Sequence, residues 1–249
     1  MPRSRWDLSE VVRKKGAVEA ETPRVSIIVA AIRPGDDVQS VLSDLANCGP
    51  ASGVEVLLAE RATEAIPSEV SELPDGVVRV RVPQSTTLPR LLGTALQRAR
   101  GDIIAITDTN CEMDDGWVST LIRVHENEYP VIGGSVEPGA LRGSVGWAAY
   151  LMDYSQFMAP LTEGIATELP GNNISMKRWT LDRGRELAHA EFWKTHWCRQ
   201  LQADGLHLRM APQLTVRYHC ALQSLAAPRP PVSSRALLRR DAATTAERN

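Results

Sequence analysis

The chain has 249 residues, with 28 basic and 30 acidic side chains and a formal net charge of −2. This length suits one large domain, or one domain with an elaboration, and a hydrophobic content of 43% is enough for a sizeable core. The near balance of charge gives no global electrostatic case for nucleic-acid or membrane-surface binding.

Targeting and membrane signals are not found in the sequence. Residues 1–21 are charged and lack the apolar region of a signal peptide. No run reaches the ~18 apolar residues of a membrane span. The four cysteines are far apart and form no CxxC pair, which argues against a zinc ribbon. We therefore expect a soluble, cytoplasmic protein.

The first half of the chain alternates apolar runs with segments of helical spacing. Leu88, Leu91, Leu92 and Leu96, for example, repeat along one helical face. The order strand, helix, strand, strand, helix, strand predicts an α/β fold with a central, mostly parallel sheet flanked by helices. The predicted elements are strands over Val25–Ala31, Val54–Ala59, Val77–Val82 and Ile103–Ile106, and helices over Asp36–Leu45 and Leu88–Ala99.

The second half is less regular, and we predict shorter elements there. The predicted helices cover Trp117–His125, Val145–Met158, Trp179–Leu187 and Phe192–Ala203, and the predicted strands cover Val131–Val136, part of Leu169–Lys177, Leu206–Met210 and Leu214–Tyr218.

The predicted domain organisation has three parts. Residues 1–22 form a loose arm, residues 23–222 form a single domain, and residues 223–249 form a disordered basic tail. The tail carries Arg235, Arg239 and Arg240, which are either solvated or contact a membrane surface or a partner.

A polar cluster follows the fourth strand. Asp108, Thr109 and Asn110 come directly after the buried run, at the place where α/β sheets bind ligands. A carboxylate and an amide oxygen can ligate Mg²⁺ or Mn²⁺, and such a cation can neutralise a diphosphate. Aspartate, threonine and asparagine are also ordinary turn residues, so a simple strand-end turn is an equal alternative.

Two further polar residues stand at predicted strand ends. Glu60 follows the second strand, where a carboxylate can accept hydrogen bonds from a ribose or a base edge. His219 follows the last strand and has the chemistry to bind a metal or a phosphate. The alternative for both residues is an ordinary polar strand end.

The second half contains two more segments with suitable chemistry. Gly171, Asn172 and Asn173 combine close backbone approach with amide groups that suit a sugar, although Gly-Asn is also common in turns. Glu191 and Lys194 flank Trp193 at the start of a predicted helix; they either face a cleft, with the indole as a sugar platform, or are solvated beside a core tryptophan.

In their order along the chain, these segments resemble the family 2 glycosyltransferases, which have the GT-A fold, and most closely a bacterial branch with a Leu-Pro-Gly-Asn-Asn segment. The resemblance spans about Val25 to His219. Its anchors are Val25–Val29, Val54–Leu58, Ala99–Ile104, Asp108–Glu112, Gly116–Trp117, Leu169–Asn173 and Gly205–His219. A dinucleotide-binding Rossmann domain is a weaker alternative, because no G-x-G-x-x-G follows the first strand.

The resemblance implies an inverting transfer of a sugar from a nucleotide-sugar donor to an acceptor hydroxyl, with a divalent cation, Mg²⁺ or Mn²⁺. It assigns a role to each of the candidate residues. Ala31, Arg33 and Glu60 hold the nucleoside; Asp108, Thr109 and Asn110 hold the metal and diphosphate, with His219 as a further metal contact; Gly171, Asn172, Asn173 and Trp193 approach the sugar and acceptor; and an acid at the start of the late helix removes the acceptor proton.

The sequence departs from the family pattern at three places. The segment from Ala30 to Arg33 lacks the usual aromatic and polar residues, and Asn110 stands where the second metal-binding aspartate is expected. Lys194 falls on the position of the catalytic acid, and a protonated lysine is a poor general base. Glu191, one helical turn away, is the alternative base. A catalytically degenerate homologue that binds nucleotide-sugars or acts as a scaffold is therefore the second hypothesis.

Overall fold

A computed structural model describes residues 22–33, 36–47, 53–62, 73, 76–141, 143–183 and 191–220. The strands are Val25–Ala31 (β1), Val54–Ala62 (β2), Val77–Pro83 (β3), Ile103–Asp108 (β4), Cys111–Met113 (β5), Val131–Leu141 (β6), Gly164–Ala166 (β7), Ile174–Lys177 (β8) and Leu208–Cys220 (β9). The helices are Val38–Asn47 (α1), Leu88–Arg98 (α2), Trp117–Val124 (α3), Gly143–Tyr154 (α4), Trp179–Arg183 (α5) and Lys194–Ala203 (α6), and a short 3₁₀ turn spans Ser155–Phe157.

The strands form one sheet in the order β3-β2-β1-β4-β8-β6-β9-β5, and β7 pairs with β9. The first four strands pair with one another in parallel, as the alternating sequence pattern predicts. The later strands mix directions, because β8 lies antiparallel between β4 and β6 while β6 and β9 are parallel. The α/β class and the central sheet flanked by helices are thus confirmed.

The strand order creates a crevice between β1 and β4. After β1 the chain moves outward to β2 and β3, and then returns to add β4 on the other side of β1. Ligands of open α/β sheets bind outside the carboxyl ends of the strands where the order reverses in this way. The polar cluster at the end of β4 therefore lies at the expected position for a ligand.

The core forms where the sequence is most apolar. Every residue of β1 and of β4 is buried, since both strands are covered on their two faces. In α2 the residues Leu91, Ala95 and Leu96 are buried. The Thr87 side chain caps this helix by accepting a hydrogen bond from the Arg90 N–H, which is a usual role for threonine.

The prediction of two separate late strands is wrong, because β9 runs without interruption from Leu208 to Cys220. Its pairing with β6 shifts register between Gly134 and Ser135, where Ala211 and Thr215 are the successive partners. The three residues between them bulge out of the ladder, which accommodates Pro212 and its missing N–H.

Several element boundaries also differ from the predictions. The helix expected over Val145–Met158 is α4, which ends at Tyr154 in a 3₁₀ turn, and the helix expected from Phe192 begins at Lys194. The strands β5 and β7 are three residues each, too short for a periodic signal. Residues 1–21 of the arm predicted over 1–22 lie outside the described residues, as do the predicted tail from 223 and the end of the helix predicted over Trp179–Leu187.

Candidate active site

A cavity of about 530 Å³ opens at the carboxyl ends of β1 and β4. Residues from six parts of the fold line it: the end of β1, the end of β4, the start of α2, the end of α4, the loop before β8, and α6 with the two residues that precede it. The polar side chains on its wall are Thr107, Asp108, Tyr154, Asn172, Trp193, Lys194, Thr195, His196 and Arg199. The structure thus brings together Asp108, Gly171, Asn172, Trp193 and Lys194 from the sequence prediction.

Asp108 is the carboxylate at this cavity, and its side chain is buried. Its Oδ1 accepts a hydrogen bond from the Asn110 backbone N–H at 2.8 Å. Burial raises the pKa of Asp108; hydrogen bonds from Asn110 and the Cys111 thiol lower it, and the charge of Asp36 raises it further, so the net direction is upward. A cation in the cavity would favour the ionised form of this carboxyl group.

Asp36 holds the loop after β1 against the Asp108 cluster. Its Oδ2 accepts hydrogen bonds from the Ile32 and Arg33 N–H groups at 2.9 and 3.0 Å and from the Thr109 hydroxyl at 2.7 Å. In the sequence, Asp36 was only the first residue of a predicted helix. That helix begins at Val38 and is capped by Asp37, which accepts a hydrogen bond from the Ser40 N–H at 3.0 Å.

None of the three residues predicted to hold the nucleoside is part of the cavity wall. Ala31 is buried and pairs in register with Glu60. Glu60 accepts a hydrogen bond from Arg81 at 2.6 Å and lies 3.5 Å from Arg79, and it does not line the cavity. Arg33 is exposed.

The two neighbouring asparagines have different environments. Asn172 lines the cavity; its amide donates to the Cys111 sulfur at 3.2 Å, while its buried Oδ1 has no partner. Asn173 is fully buried and donates to the carbonyl groups of Ser135 and Leu214 at 2.8 and 2.7 Å. The structure does not bring Asn173 to the cavity; its amide joins β6 to β9.

The two candidate bases also differ in position. Lys194, the first residue of α6, lines the cavity, and its ammonium group donates to the Leu169 carbonyl oxygen. Glu191 is half-buried but is not part of the cavity wall; it accepts a hydrogen bond from the indole N–H of Trp193 at 2.9 Å. Trp193 lines the cavity and is exposed.

His219 does not line the cavity, and both of its ring nitrogens are engaged. The Ala140 N–H donates to Nδ1 at 3.0 Å, so Nε2 carries the proton and donates to Glu112 at 2.9 Å. Glu112 also pairs with Arg217 at 3.3 Å. The imidazole thus links β9 to β5 and β6.

The oxygen chemistry of the cavity fits a hard divalent cation. Within the described residues no group of three histidine, cysteine or acidic side chains is arranged to hold a metal. The wall offers the carboxylate of Asp108 and two buried oxygens without a partner, Thr107 Oγ1 and Asn172 Oδ1. Mg²⁺ and Mn²⁺ prefer such oxygen ligands, and take others from water and phosphate.

Besides Trp193, which was predicted, the cavity wall has an aromatic residue that the sequence did not indicate. Tyr154, the last residue of α4, packs against Tyr218 with ring centroids 4.7 Å apart. Burial, together with the charge of Asp108, raises the pKa of the Tyr154 hydroxyl, so the group remains a proton donor at neutral pH. Its helix was predicted, but the face that meets the cavity depends on tertiary packing. His196 and Arg199 of α6 were missed for the same reason.

The sequence of this chain matches the model of a known protein family. The sequence model described as Glycosyl transferase family 2 matches residues 26–182, which is more than half of the chain. Polypeptide N-acetylgalactosaminyltransferase 12 is 33% identical over 75 residues in its Mus musculus form and 31% identical over 120 residues in its Homo sapiens form.

A similar fold is found in the mannosyltransferase PcManGT from Pyrobaculum calidifontis, whose structure is in complex with GDP-Man and Mn²⁺. The TM-score is 0.56 at 15% identity, over 81% of this chain and 58% of that one. The likeness supports the expected GT-A fold. The chain spans only 13% and 20% of the length of the two curated relatives.

Proposed function

Since this chain belongs to glycosyl transferase family 2, we propose that it transfers a sugar from a nucleotide-sugar donor to an acceptor hydroxyl with inversion. The observation that carries the proposal is the buried carboxylate of Asp108, the last residue of β4, at a cavity of about 530 Å³ in the crevice of the sheet. The cytoplasmic location and the bacterial branch remain predictions from the sequence.

In this proposal Asp108 anchors a Mg²⁺ or Mn²⁺ ion that contacts the donor diphosphate. The cation, when bound, would neutralise charge on the leaving diphosphate. Asn110 supports Asp108 through its N–H, and the unpartnered oxygens of Thr107 and Asn172 are further candidate ligands for the ion or its water. The GDP-Man and Mn²⁺ of the similar mannosyltransferase structure are consistent with this arrangement.

We assign the general base to Glu191, with Trp193 as the platform beside the sugar. The hydrogen bond between the two side chains fixes the carboxylate next to the cavity wall. A carboxylate is suited to remove a proton from the acceptor hydroxyl, whereas the Lys194 ammonium is already a donor to the Leu169 carbonyl. Lys194 instead supplies positive charge to the wall that would face a diphosphate.

The second candidate function is binding of a nucleotide-sugar without transfer. One observation favours it: position 194, where the family pattern places its acid, lines the cavity but carries a lysine, while Glu191 does not line it. In this alternative the chain keeps donor recognition through Asp108 and acts as a scaffold or sensor.

Donor binding is tested by thermal unfolding of the full chain with UDP-, GDP- and TDP-sugars, with and without Mn²⁺. We expect at least one donor to raise the melting temperature only when Mn²⁺ is present, because Asp108 would hold the cation and the cation would neutralise the diphosphate charge. Asp115→Asn, an exposed aspartate outside the cavity, is the control for Asp108→Asn. No shift with any donor would contradict both candidate functions.

Transfer is tested separately, by following donor consumption in the presence of simple hydroxyl acceptors. We expect Glu191→Gln to lower turnover by about 10²–10⁴-fold while leaving the thermal shift with donor unchanged. Glu126→Gln, at an exposed ion pair with Arg24, serves as the control. Donor binding without turnover, together with turnover gained by Lys194→Glu, would support the binding protein and contradict an active transferase.

A further inference from the structure

Helix α4 exposes a row of large apolar side chains. Val145, Trp147 and Leu151 keep nearly half of their surface in contact with solvent, and Met152 is 85% exposed. At 100° per residue these four positions fall on one side of the helix, together with the exposed Ala148. We call this surface, residues 145, 147, 148, 151 and 152, the apolar face of α4.

The opposite side of α4 is fixed to the sheet. Gly146 and Tyr150 are buried, and the Tyr150 hydroxyl donates to the Val136 carbonyl oxygen at 2.8 Å. The helix therefore cannot turn its apolar face inward without losing this contact. Asp153 is the one charged residue among the twelve of α4, so the outer surface presents no charge over almost three turns.

A basic segment of the chain starts next to this helix. β9 ends at Cys220, which pairs with Leu141 just before α4 and lies beside Gly146 of the helix. Residues 221–249 contain five arginines and two acidic side chains, a formal charge of +3, although the whole chain has a charge of −2. The chain that carries this positive charge therefore continues from Cys220, a residue that lies beside α4.

We propose that the apolar face of α4 docks on an anionic phospholipid surface. A helix that lies in the membrane interface buries its apolar side chains at the boundary between headgroups and acyl chains, and tryptophan is favoured at that depth. Peripheral binding of this kind becomes stable when a second signal is added, and arginines contribute about 1 kcal/mol each near an anionic surface. Residues 221–249 supply that second signal.

A second copy of the chain fits the same face less well. A stable dimer buries about 800 Å² on each partner. Four large side chains, three of them already half-buried, fall short of this area, and they lie on a convex helix surface. A lipid surface needs no shape complementarity and takes up such a face directly.

Helix α4 connects the proposed docking surface with the cavity. Tyr154, the last residue of this helix, lines the cavity that holds Asp108. A bilayer on the apolar face would therefore lie close to the cavity wall, where an amphiphilic molecule is within reach. The docking itself does not depend on sugar transfer, so its failure and the failure of the proposed function are separate results.

The experiment is cosedimentation of the full chain with vesicles of phosphatidylcholine, with and without phosphatidylglycerol, at low and high salt. We expect binding to the anionic vesicles that weakens with salt, and a loss of about tenfold or more in Leu151→Gln/Met152→Gln. Val78→Gln, at an exposed apolar residue of the edge strand β3, is the matched control and should bind like the unmodified chain. Circular dichroism establishes that both variants are folded.

Three results would overturn the proposal. They are no binding of the unmodified chain to anionic vesicles, equal loss of binding in the Val78→Gln control, and unchanged binding in the α4 double variant. Light scattering after size exclusion measures the oligomeric state, and so tests whether a second copy of the chain occupies the apolar face of α4. A dimer that the double variant converts to a monomer would assign the face to a second copy of the chain instead.

Discussion

At the residue scale, Asp108 shows how burial and hydrogen bonding oppose each other at a ligand site. The carboxyl group is buried, and the loss of solvent raises its pKa from the ordinary value of 3.8 despite the hydrogen bonds from Asn110 and Cys111. An acid whose pKa is raised in the folded state lowers stability as pH rises through the interval above 3.8. The apo protein is thus destabilised at neutral pH by the carboxylate that we assign to the cation.

We therefore predict that Asp108→Asn raises the melting temperature of the apo protein at neutral pH while it removes the Mn²⁺-dependent shift with a nucleotide-sugar. The carboxamide keeps an acceptor oxygen for the Asn110 N–H but carries no charge. Thermal unfolding with and without Mn²⁺ measures both effects. If Asp108→Asn lowers the apo melting temperature more than the exposed control Asp115→Asn does, the proposed cost of the buried charge is wrong.

Asp108 and His219 differ in how much of their role could be predicted from the sequence. Asp108 comes after an apolar run in the sequence, so its place at the carboxyl end of the parallel strands could be predicted, and it is the last residue of β4. His219 was predicted to follow a strand, but it lies within β9, and its ring nitrogens are taken by Ala140 and Glu112, which are 79 and 107 residues away. Nothing in the local sequence around His219 carries that information.

At the element scale, Glu55 joins three segments at the amino end of the parallel strands. Its Oε1 accepts from the Ser26 hydroxyl and the Arg100 N–H, both at 2.6 Å, and its Oε2 accepts from the Arg100 side chain at 3.0 Å. Burial alone would raise the pKa of Glu55, but these hydrogen bonds outweigh it and the net direction is downward. The carboxylate therefore ties β2 to β1 and to the turn before β4.

We predict that Glu55→Ala lowers the free energy of unfolding by on the order of 2–3 kcal/mol, because buried donors lose their acceptor. The Arg100 side chain is 56% exposed, so solvent screening reduces the share of the ion pair. Because folding lowers the pKa of Glu55 from its ordinary value of 4.5, the carboxylate stabilises the folded state above pH 4.5. This stabilisation is lost as the pH falls below that value. Urea denaturation measures the change; Glu126→Ala, at an exposed pair, should cost under about 1 kcal/mol.

Gly134 marks the register shift between β6 and β9. An added Cβ would lie 1.7 Å from the Leu214 carbonyl oxygen and 2.3 Å from the Asn173 amide nitrogen. We predict that Gly134→Ala destabilises the protein by about 3 kcal/mol or more, because both neighbours are held in the core. Gly171→Ala has no atom within 4 Å of its added Cβ and serves as the control. Equal denaturation midpoints for the two variants would contradict this packing.

The elements of the first half could be predicted because their signals are local. Apolar runs and helical periodicity need only neighbours within a few residues, and β1, β4 and α2 follow them closely. The continuity of β9 could not be predicted in this way. Pro212 interrupts the local strand pattern, and only the pairing with β6 on the other side of the shift carries the strand onward.

For the molecule as a whole, His125 makes stability depend on pH. Its imidazole is buried at the end of α3, and its Nε2 is hydrogen-bonded to the Ser175 hydroxyl at 2.8 Å. Burial, with the nearby charge of Lys177, lowers the pKa of His125 to about 3. The folded protein thus keeps a neutral imidazole over a range in which the unfolded chain would be protonated.

The sign of the effect follows from linkage. His125 contributes its full stability above the ordinary pKa of 6.5, and this contribution falls as pH decreases toward 3 by about 1.4 kcal/mol per pH unit. We predict that urea denaturation at about pH 7 and about pH 5 shows this slope. His125→Gln should flatten it, whereas the exposed His207→Gln should not. If the free energy of unfolding of His125→Gln depends on pH as steeply as that of the unmodified chain, groups other than His125 cause the pH dependence.

The sequence by itself determined the α/β class, the elements of the first half, the family resemblance and the position of Asp108 after a buried strand. These features depend on periodicity and on short motifs, which are local properties of the chain. The tertiary structure alone decided which polar groups remain open to a ligand. Asn172 lines the cavity, whereas Asn173 is hydrogen-bonded in the core. Lys194 is part of the cavity wall, whereas Glu191 is not and instead accepts a hydrogen bond from Trp193. Those differences come from hydrogen-bond partners far away in sequence, which only packing brings within reach.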